Sequence, residues 1–191
     1  MSNNKIICGI DEAGRGPLAG PVCAAAVILP INFDISILND SKKMSEKKRQ
    51  IAKEVICKES IWGIGWSEAD EIDKINILQA TLKAMKRAYD DMIKKLNNAE
   101  SNILEPVVIV DGNKTPEIPN AKAIVKADSQ YPQVMAASIL AKTFRDELMC
   151  EYASKFPNYG YEKHKGYPTK AHKKAILEFG ESPIQRKTFK Y

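Results

Sequence analysis

Ile6-Ile7-Cys8-Gly9-Ile10-Asp11-Glu12-Ala13-Gly14-Arg15-Gly16-Pro17-Leu18-Ala19-Gly20-Pro21-Val22 is the stretch on which the reading of this chain turns. Its first five residues form a short apolar run that ends at two adjacent carboxylates. A second apolar run, rich in Ala and Val, occupies Val22 to Leu29, and Gly and Pro punctuate the gap between the two. That pattern predicts a strand, a tight irregular turn and a second strand. Joined as a hairpin, the two strands run antiparallel.

Further along, Ser45 to Lys58 reads as a polar-faced helix and Ile61 to Trp66 as a third strand. Ile75, Leu78, Leu82, Met85, Tyr89, Met92 and Leu96 recur at spacings of three and four, which puts one apolar stripe on one helix face. Ser67 with Asp70 is a candidate capping box near the start of that helix. Val107 to Val110 is a β-branched run ending at Asp111-Gly112-Asn113, and Ala123 to Lys126 is a further short strand ending near Asp128. Pro132 suits the first turn of a long helix reaching about Tyr152. Thr169 to Phe179 predicts a last helix. Strands interleaved with helices make this an α/β layered domain. The expectation is one domain over residues 1–191, with about 156–191 a basic extension packed on it.

Charge is unevenly placed. The 191 residues carry +5, yet from Lys155 onward Lys and Arg outnumber Asp and Glu nine to three, leaving the remainder near neutral at −1. A basic end on a neutral body points to a polyanionic partner, or else to a solvated basic face. The four cysteines are scattered with no CxxC, which argues against a zinc site or disulfide framework and for a reducing compartment. No signal peptide is evident, and no apolar run approaches a membrane span, so a cytoplasmic protein is expected.

Asp11 with Glu12, Asp111, and Asp128 fall just after the ends of three expected strands. That edge of an open α/β sheet is where ligands tend to bind. One such acid alone is usually a turn former or cap. A set crowded into a partly desolvated place is unfavourable unless a cation neutralises it. Oxygen ligands suit Mg²⁺ or Mn²⁺, and two such ions serve phosphodiester cleavage. The glycines do not make a dinucleotide fingerprint. Gly14, Gly16 and Gly20 give GxGxxxG, Pro17 removes an amide, and the adjacent carboxylates would repel a pyrophosphate. His164 and His172 are expected in core or surface roles. Asp146, four residues after Lys142, is expected as a surface pair with it.

The run Asp11 to Pro21 resembles the opening motif of the ribonuclease HII family. Further stretches agree in order: Asn39 to Lys43, Asn76-Ile77, Val110 to Asn113, Lys126 to Asp128, Ala136 to Lys142 and His164 to Thr169. The resemblance spans about Ile6 to Phe189. It implies a ribonuclease H-like fold, a five-stranded mixed sheet flanked by helices. It implies Asp11, Glu12, Asp111 and Asp128 as the catalytic, metal-holding set for two Mn²⁺ or Mg²⁺ ions. It implies that Gly14, Arg15 and Gly16 contact a ribose 2′-hydroxyl and its phosphate, and that Tyr167 stacks at the following deoxyribose. Lys42, Lys43, Ser138 and Lys142 are candidate phosphate contacts. The implied activity is hydrolysis of RNA in RNA–DNA hybrids and cleavage 5′ to single ribonucleotides in duplex DNA, by a monomer. The alternatives are a DNA nuclease of the same fold, of resolvase or integrase type, and a non-catalytic nucleic-acid-binding domain. Gln185 stands where many relatives carry His.

Overall fold

The computed structural model describes residues 6–99 and 105–190. A five-stranded mixed sheet forms its centre, in the order β3-β2-β1-β4-β5. Strands β1 (Ile7–Ala13), β2 (Val22–Ile28) and β3 (Ile61–Ser67) are an antiparallel meander. Strands β4 (Val107–Asp111) and β5 (Ala121–Ile124) add parallel to β1. The last strand therefore lies two residues earlier than Ala123–Lys126. Lys126 instead takes a left-handed conformation (φ 60°), which turns the chain into a short 3₁₀ segment carrying Asp128.

Helix α1 (Glu46–Glu59) is capped by Ser45, whose side chain accepts from the Lys48 amide. Helix α2 (Ala69–Ala99) covers one face of the sheet, and α3 (Pro132–Lys155) covers the other together with α1. The expected stripe is real: Met85, Tyr89, Met92 and Leu96 are buried against the sheet, with Ile75 and Leu82 partly so. The capping box is not. Ser67 belongs to β3, where its hydroxyl donates to the Ala80 carbonyl and accepts from Arg87. The start signal lies instead at Asn76 (φ 68°, ψ 163°), which breaks α2 and caps its longer part by accepting the Leu78 and Gln79 amides at 3.0 and 3.1 Å. Asn76 thus both breaks the helix and supplies the capping oxygen, from a backbone conformation that is strained for any residue but glycine.

Close approach of helix and sheet needs glycine. A Cβ on Gly9 in β1 would fall on the backbone of Gln133 and Val134, so α3 lies directly over β1. That contact carries Ser138 and Lys142, one and two turns further along, over the far end of the same strand. The small α4 (Tyr161–His164) and α5 (Lys170–Phe179) sit at the C-terminal side, where Tyr161, Met149 and Ala19 form a separate buried cluster.

Candidate active site

Successive residues of a strand face opposite sides of a sheet. In β1, Cys8 and Ile10 pack on the α2 face, which places Asp11 on the α3 face and Glu12 opposite. In β4 the alternation is the same: Val108 and Val110 face α2, so Asp111 shares the α3 face. The parallel register pairs Ile10 with Val110. Asp11 and Asp111 are therefore neighbours one step beyond, on adjacent strands. Both lie within their strands, since β1 runs on through Glu12 to Ala13; the sequence had put the acids just past the strand ends. Asp128 reaches them through the turn after β5. The Ala127 amide, beside it, donates to the Asp111 carboxylate at 2.8 Å and ties the turn to β4.

Of the acids and substrate contacts expected from the sequence, all but Lys43 line one cleft of about 460 Å³. Its floor carries Asp11, Glu12, Asp111 and Asp128. Gly14, Arg15 and Gly16 form one wall, Lys42, Ser138 and Lys142 another, and Tyr167 stands at the rim, 42% exposed. Lys43 lies outside; its ammonium is mostly solvated, 3.7 Å from Asp40.

Electrostatics at the floor are those of crowded acids. Burial holds the Asp11 carboxyl well above its ordinary range; the Glu12 and Asp111 charges push it further, and the Ser138 hydroxyl offsets part of this. Glu12 is also raised by burial, with its partner Arg15 at 3.3 Å working against it. Asp128 is raised by burial and by the Asp111 charge. Glu12 turns toward Arg15 and Asp111 toward the Ala127 amide. Among the described residues, no three potential ligands close into a cage in these orientations. The donor set is nonetheless all oxygen and mutually repelling, which suits a hard divalent cation.

Two histidines lie behind the cleft. His172 is fully buried and stacks on His164 at 4.6 Å, and both bind backbone groups. The core expectation holds for His172. Asp146, by contrast, is no surface pair. It is 9% exposed, bonded to Lys142 at 2.7 Å and 3.8 Å from Arg49. Arg49 in turn donates to the carbonyls of Ser41 and Met44 at 3.1 and 2.6 Å, so it ties the loop bearing Lys42 to α3.

Arg49, Arg145 and Arg186 were missed by the sequence reading. Arg145 and Arg186 are 1% and 0% exposed, and among the described residues neither pairs with a carboxylate. Backbone carbonyls satisfy them instead. Arg145 donates to Pro21, Lys165 and Ala19, and Arg186 to Gly20, Arg15, Pro17 and Gly14. Burial lowers the pKa of both guanidiniums, and for Arg186 the neighbouring Arg145 charge adds to it. A signal for Arg145 was available: Ala137, Ala141, Arg145 and Met149 recur every four residues on the buried face of α3. Arg186 offered none, being one cation in a basic tail.

The family profile described as Ribonuclease HII matches residues 8–191. The chain is 57% identical to a ribonuclease HII of Treponema denticola, over 96% of this chain and 98% of that protein. It is 48% identical to one of Dechloromonas aromatica, over 96% and 90%. Among solved structures, the ribonuclease HII in a complex with PCNA from Archaeoglobus fulgidus superposes with a TM-score of 0.72 at 25% identity, covering 97% and 96%. A Bst ribonuclease HIII in complex with Mn²⁺ shares the fold, with a TM-score of 0.70 at 17% identity, covering 97% and 67%.

Proposed function

The chain belongs to the ribonuclease HII family, and from that premise we propose how its cleft selects and cuts its substrate. It is a ribonuclease, a phosphodiester hydrolase. In this reading it hydrolyses RNA in RNA–DNA hybrids and cuts 5′ to a single ribonucleotide embedded in duplex DNA, leaving a 3′-hydroxyl and a 5′-phosphate.

The observation that carries the proposal is the sharing of one cleft. Four carboxylates from β1, β4 and the turn after β5 face a glycine-rich loop and an exposed tyrosine across a single space. A Cβ at Gly16 would lie 3.7 Å from Tyr167 Cε1, so the loop and the ring flank the same opening. The 2′-hydroxyl is what separates RNA from DNA at a given position, and backbone donors in such a loop can read it. An aromatic ring beside it can stack on the next sugar. Lys42 and Lys142 place positive charge where the flanking phosphates run, and the basic C-terminal region extends that field. A resolvase-type enzyme acting on all-DNA junctions would have no use for a ribose-reading loop.

Asp11, Glu12, Asp111 and Asp128 would hold two Mg²⁺ or Mn²⁺ ions, with Asp11 and Asp111, adjacent on one face, the best-placed ligands. Bound there, the ions supply Lewis acidity at the phosphate and a more acidic water. The chain's own contribution is orientation. The Ala127 amide fixes the Asp111 carboxylate, the Ser138 hydroxyl stands beside Asp11, and Glu12 would have to leave its Arg15 contact to hold a cation. The Glu12 carbonyl is assigned a part in reading the substrate. All four acids come from one chain, which supports action as a monomer. The free cysteines suit a reducing cytoplasm.

The test is cleavage of a DNA duplex containing one ribonucleotide, in Mg²⁺ or Mn²⁺ with a chelator control. Wild type should cut 5′ to the ribonucleotide. Asp11→Asn should abolish cutting while keeping or tightening duplex binding, because a negative charge beside phosphate is removed. Cleavage of the all-DNA duplex at a similar rate would overturn the proposal.

A further inference from the structure

The wall of the cleft that reads ribose is not held by the strands that flank it. Gly14 to Pro17 makes no ladder, and its carbonyls converge inward on one side chain. Arg186 donates to Gly14 at 2.6 Å, Pro17 at 2.8 Å, Gly20 at 2.9 Å and Arg15 at 3.0 Å. A trans peptide is planar with its C=O and N–H opposed. Where the Gly14 and Arg15 carbonyls point at Arg186, the amides of Arg15 and Gly16 must point the other way, toward the cleft that both residues line. Among the described residues, neither amide has a protein partner. Leu18 differs, since its amide donates to the Gly166 carbonyl at 2.8 Å and closes the loop on the segment that bears Tyr167.

Arg186 is delivered by a strap formed by the end of the chain. The Arg186 amide bonds the Leu18 carbonyl at 2.8 Å, and the Gly20 amide bonds the Ile184 carbonyl at 2.9 Å. Beyond them, Asp73 of α2 pins the strap by accepting from the Lys187 and Thr188 amides at 2.9 and 3.0 Å and from the Thr188 hydroxyl at 2.6 Å. A guanidinium's planar fork can satisfy several carbonyls at once, which an ammonium on a flexible stem cannot do with the same geometry.

We propose that Arg186 is a positioning residue for ribose recognition: by gathering the loop's carbonyls it turns the Arg15 and Gly16 amides outward as donors for the 2′-oxygen of the substrate. The inference rests on the ribonucleotide-specific reading above and deepens it. The C-terminal strap thereby sets specificity from behind the loop, without touching substrate.

The experiment compares two duplexes of the same sequence, one all DNA and one with a single ribonucleotide. Affinities are measured by fluorescence anisotropy in Ca²⁺ for wild type, Arg186→Lys and Asp73→Ala. Cleavage in Mg²⁺ is followed in parallel. Loss of well-placed donors in Arg186→Lys should lower the affinity ratio for ribonucleotide over DNA by about tenfold, the worth of one or two hydrogen bonds. Asp73→Ala, made at the partly solvated anchor, should lower it by a smaller factor, and it decides the matter if Arg186→Lys does not fold. A role in stability alone would reduce the binding-competent fraction and leave the ratio unchanged. If wild type cuts at the ribonucleotide and prefers it, but a folded variant keeps the wild-type ratio, the inference fails and the functional reading stands. If wild type neither prefers nor cuts at the ribonucleotide, the functional reading itself fails and takes the inference with it.

Discussion

Replacing Gly14 by Ala tests how rigidly the ribose-reading loop is held. Gly14 sits at φ +97°, where an L side chain is strained by about 1–2 kcal/mol. Its new methyl would fall on the Arg145 guanidinium and lie 2.8 Å from the Pro21 carbonyl oxygen. Arg145 cannot swing aside without surrendering bonds to Pro21, Lys165 and Ala19 at 2.9, 3.0 and 3.2 Å. Overpacking of this kind costs about 1–3 kcal/mol. Together the two effects amount to about 2–5 kcal/mol, a sizeable share of the roughly 5–15 kcal/mol that keeps a domain folded. At about 2–4 °C per kcal/mol for a chain of this length, the melting midpoint should fall by about 4–20 °C. Gly16→Ala is the matched control. Its Cβ would meet only Tyr167, at an ordinary 3.7 Å, and its φ is not positive. That variant should melt within about 2 °C of wild type, as surface changes do, yet lose cleavage at a lone ribonucleotide because the methyl narrows the opening beside Tyr167. Thermal melts and the single-ribonucleotide assay check both. A Gly14→Ala protein that melts like wild type, or a Gly16→Ala protein that cuts at full rate, would refute the reasoning.

Three further outcomes are expected. Tyr167→Ala should hurt cleavage at a lone ribonucleotide more than it hurts duplex binding; equal losses would make the ring structural. Asp146→Asn leaves Lys142 and Arg49 as two uncompensated cations, so it should cost about 1–3 kcal/mol in a melt and raise KM for the duplex, and an unchanged KM would remove Asp146 from the placement of Lys142. Acidification should weaken the fold through His172 and His164, whose pKa values burial lowers from 6.5. Between those lowered values and 6.5 the unfolded chain binds more protons than the native state, so stability rises with pH across that window and is lost as pH falls through it. The midpoint should drop from pH 6.5 to pH 5 in wild type and drop less in His172→Phe; equal drops would sink the idea.

Much of this molecule is legible locally. The apolar runs of β1 and β2 with Gly and Pro between them, the stripe of α2 and the β-branched run of β4 identify elements whose partners scarcely matter to the assignment. The four carboxylates could be picked out because each follows an apolar run closely enough to be out of keeping with it. Element edges were less legible. Ser67 with Asp70 has the letters of a cap, but β3 pairing through Ser67 to Val22 claims that serine for the sheet, and Asn76 does the capping.

The sequence by itself picked out the four acids, through the apolar runs they follow and the motifs that carry them; the parallel pairing of β1 with β4, which makes Asp11 and Asp111 neighbours, belongs to the fold. What only the tertiary structure decided, besides that pairing, is how the loop beside them is held. Arg186 in a basic tail, and Arg145 and Asp146 on a helix, read as solvated charges, since burying an unpaired charge is ordinarily costly. The fold removes that objection with groups far away in sequence: the turn carbonyls from Gly14 to Pro21 for the two arginines, and Arg49, added to the nearby Lys142, for the aspartate. A backbone carbonyl carries no residue identity, so the letters could place Arg145 on the buried face of α3 but could not announce which groups would receive either guanidinium.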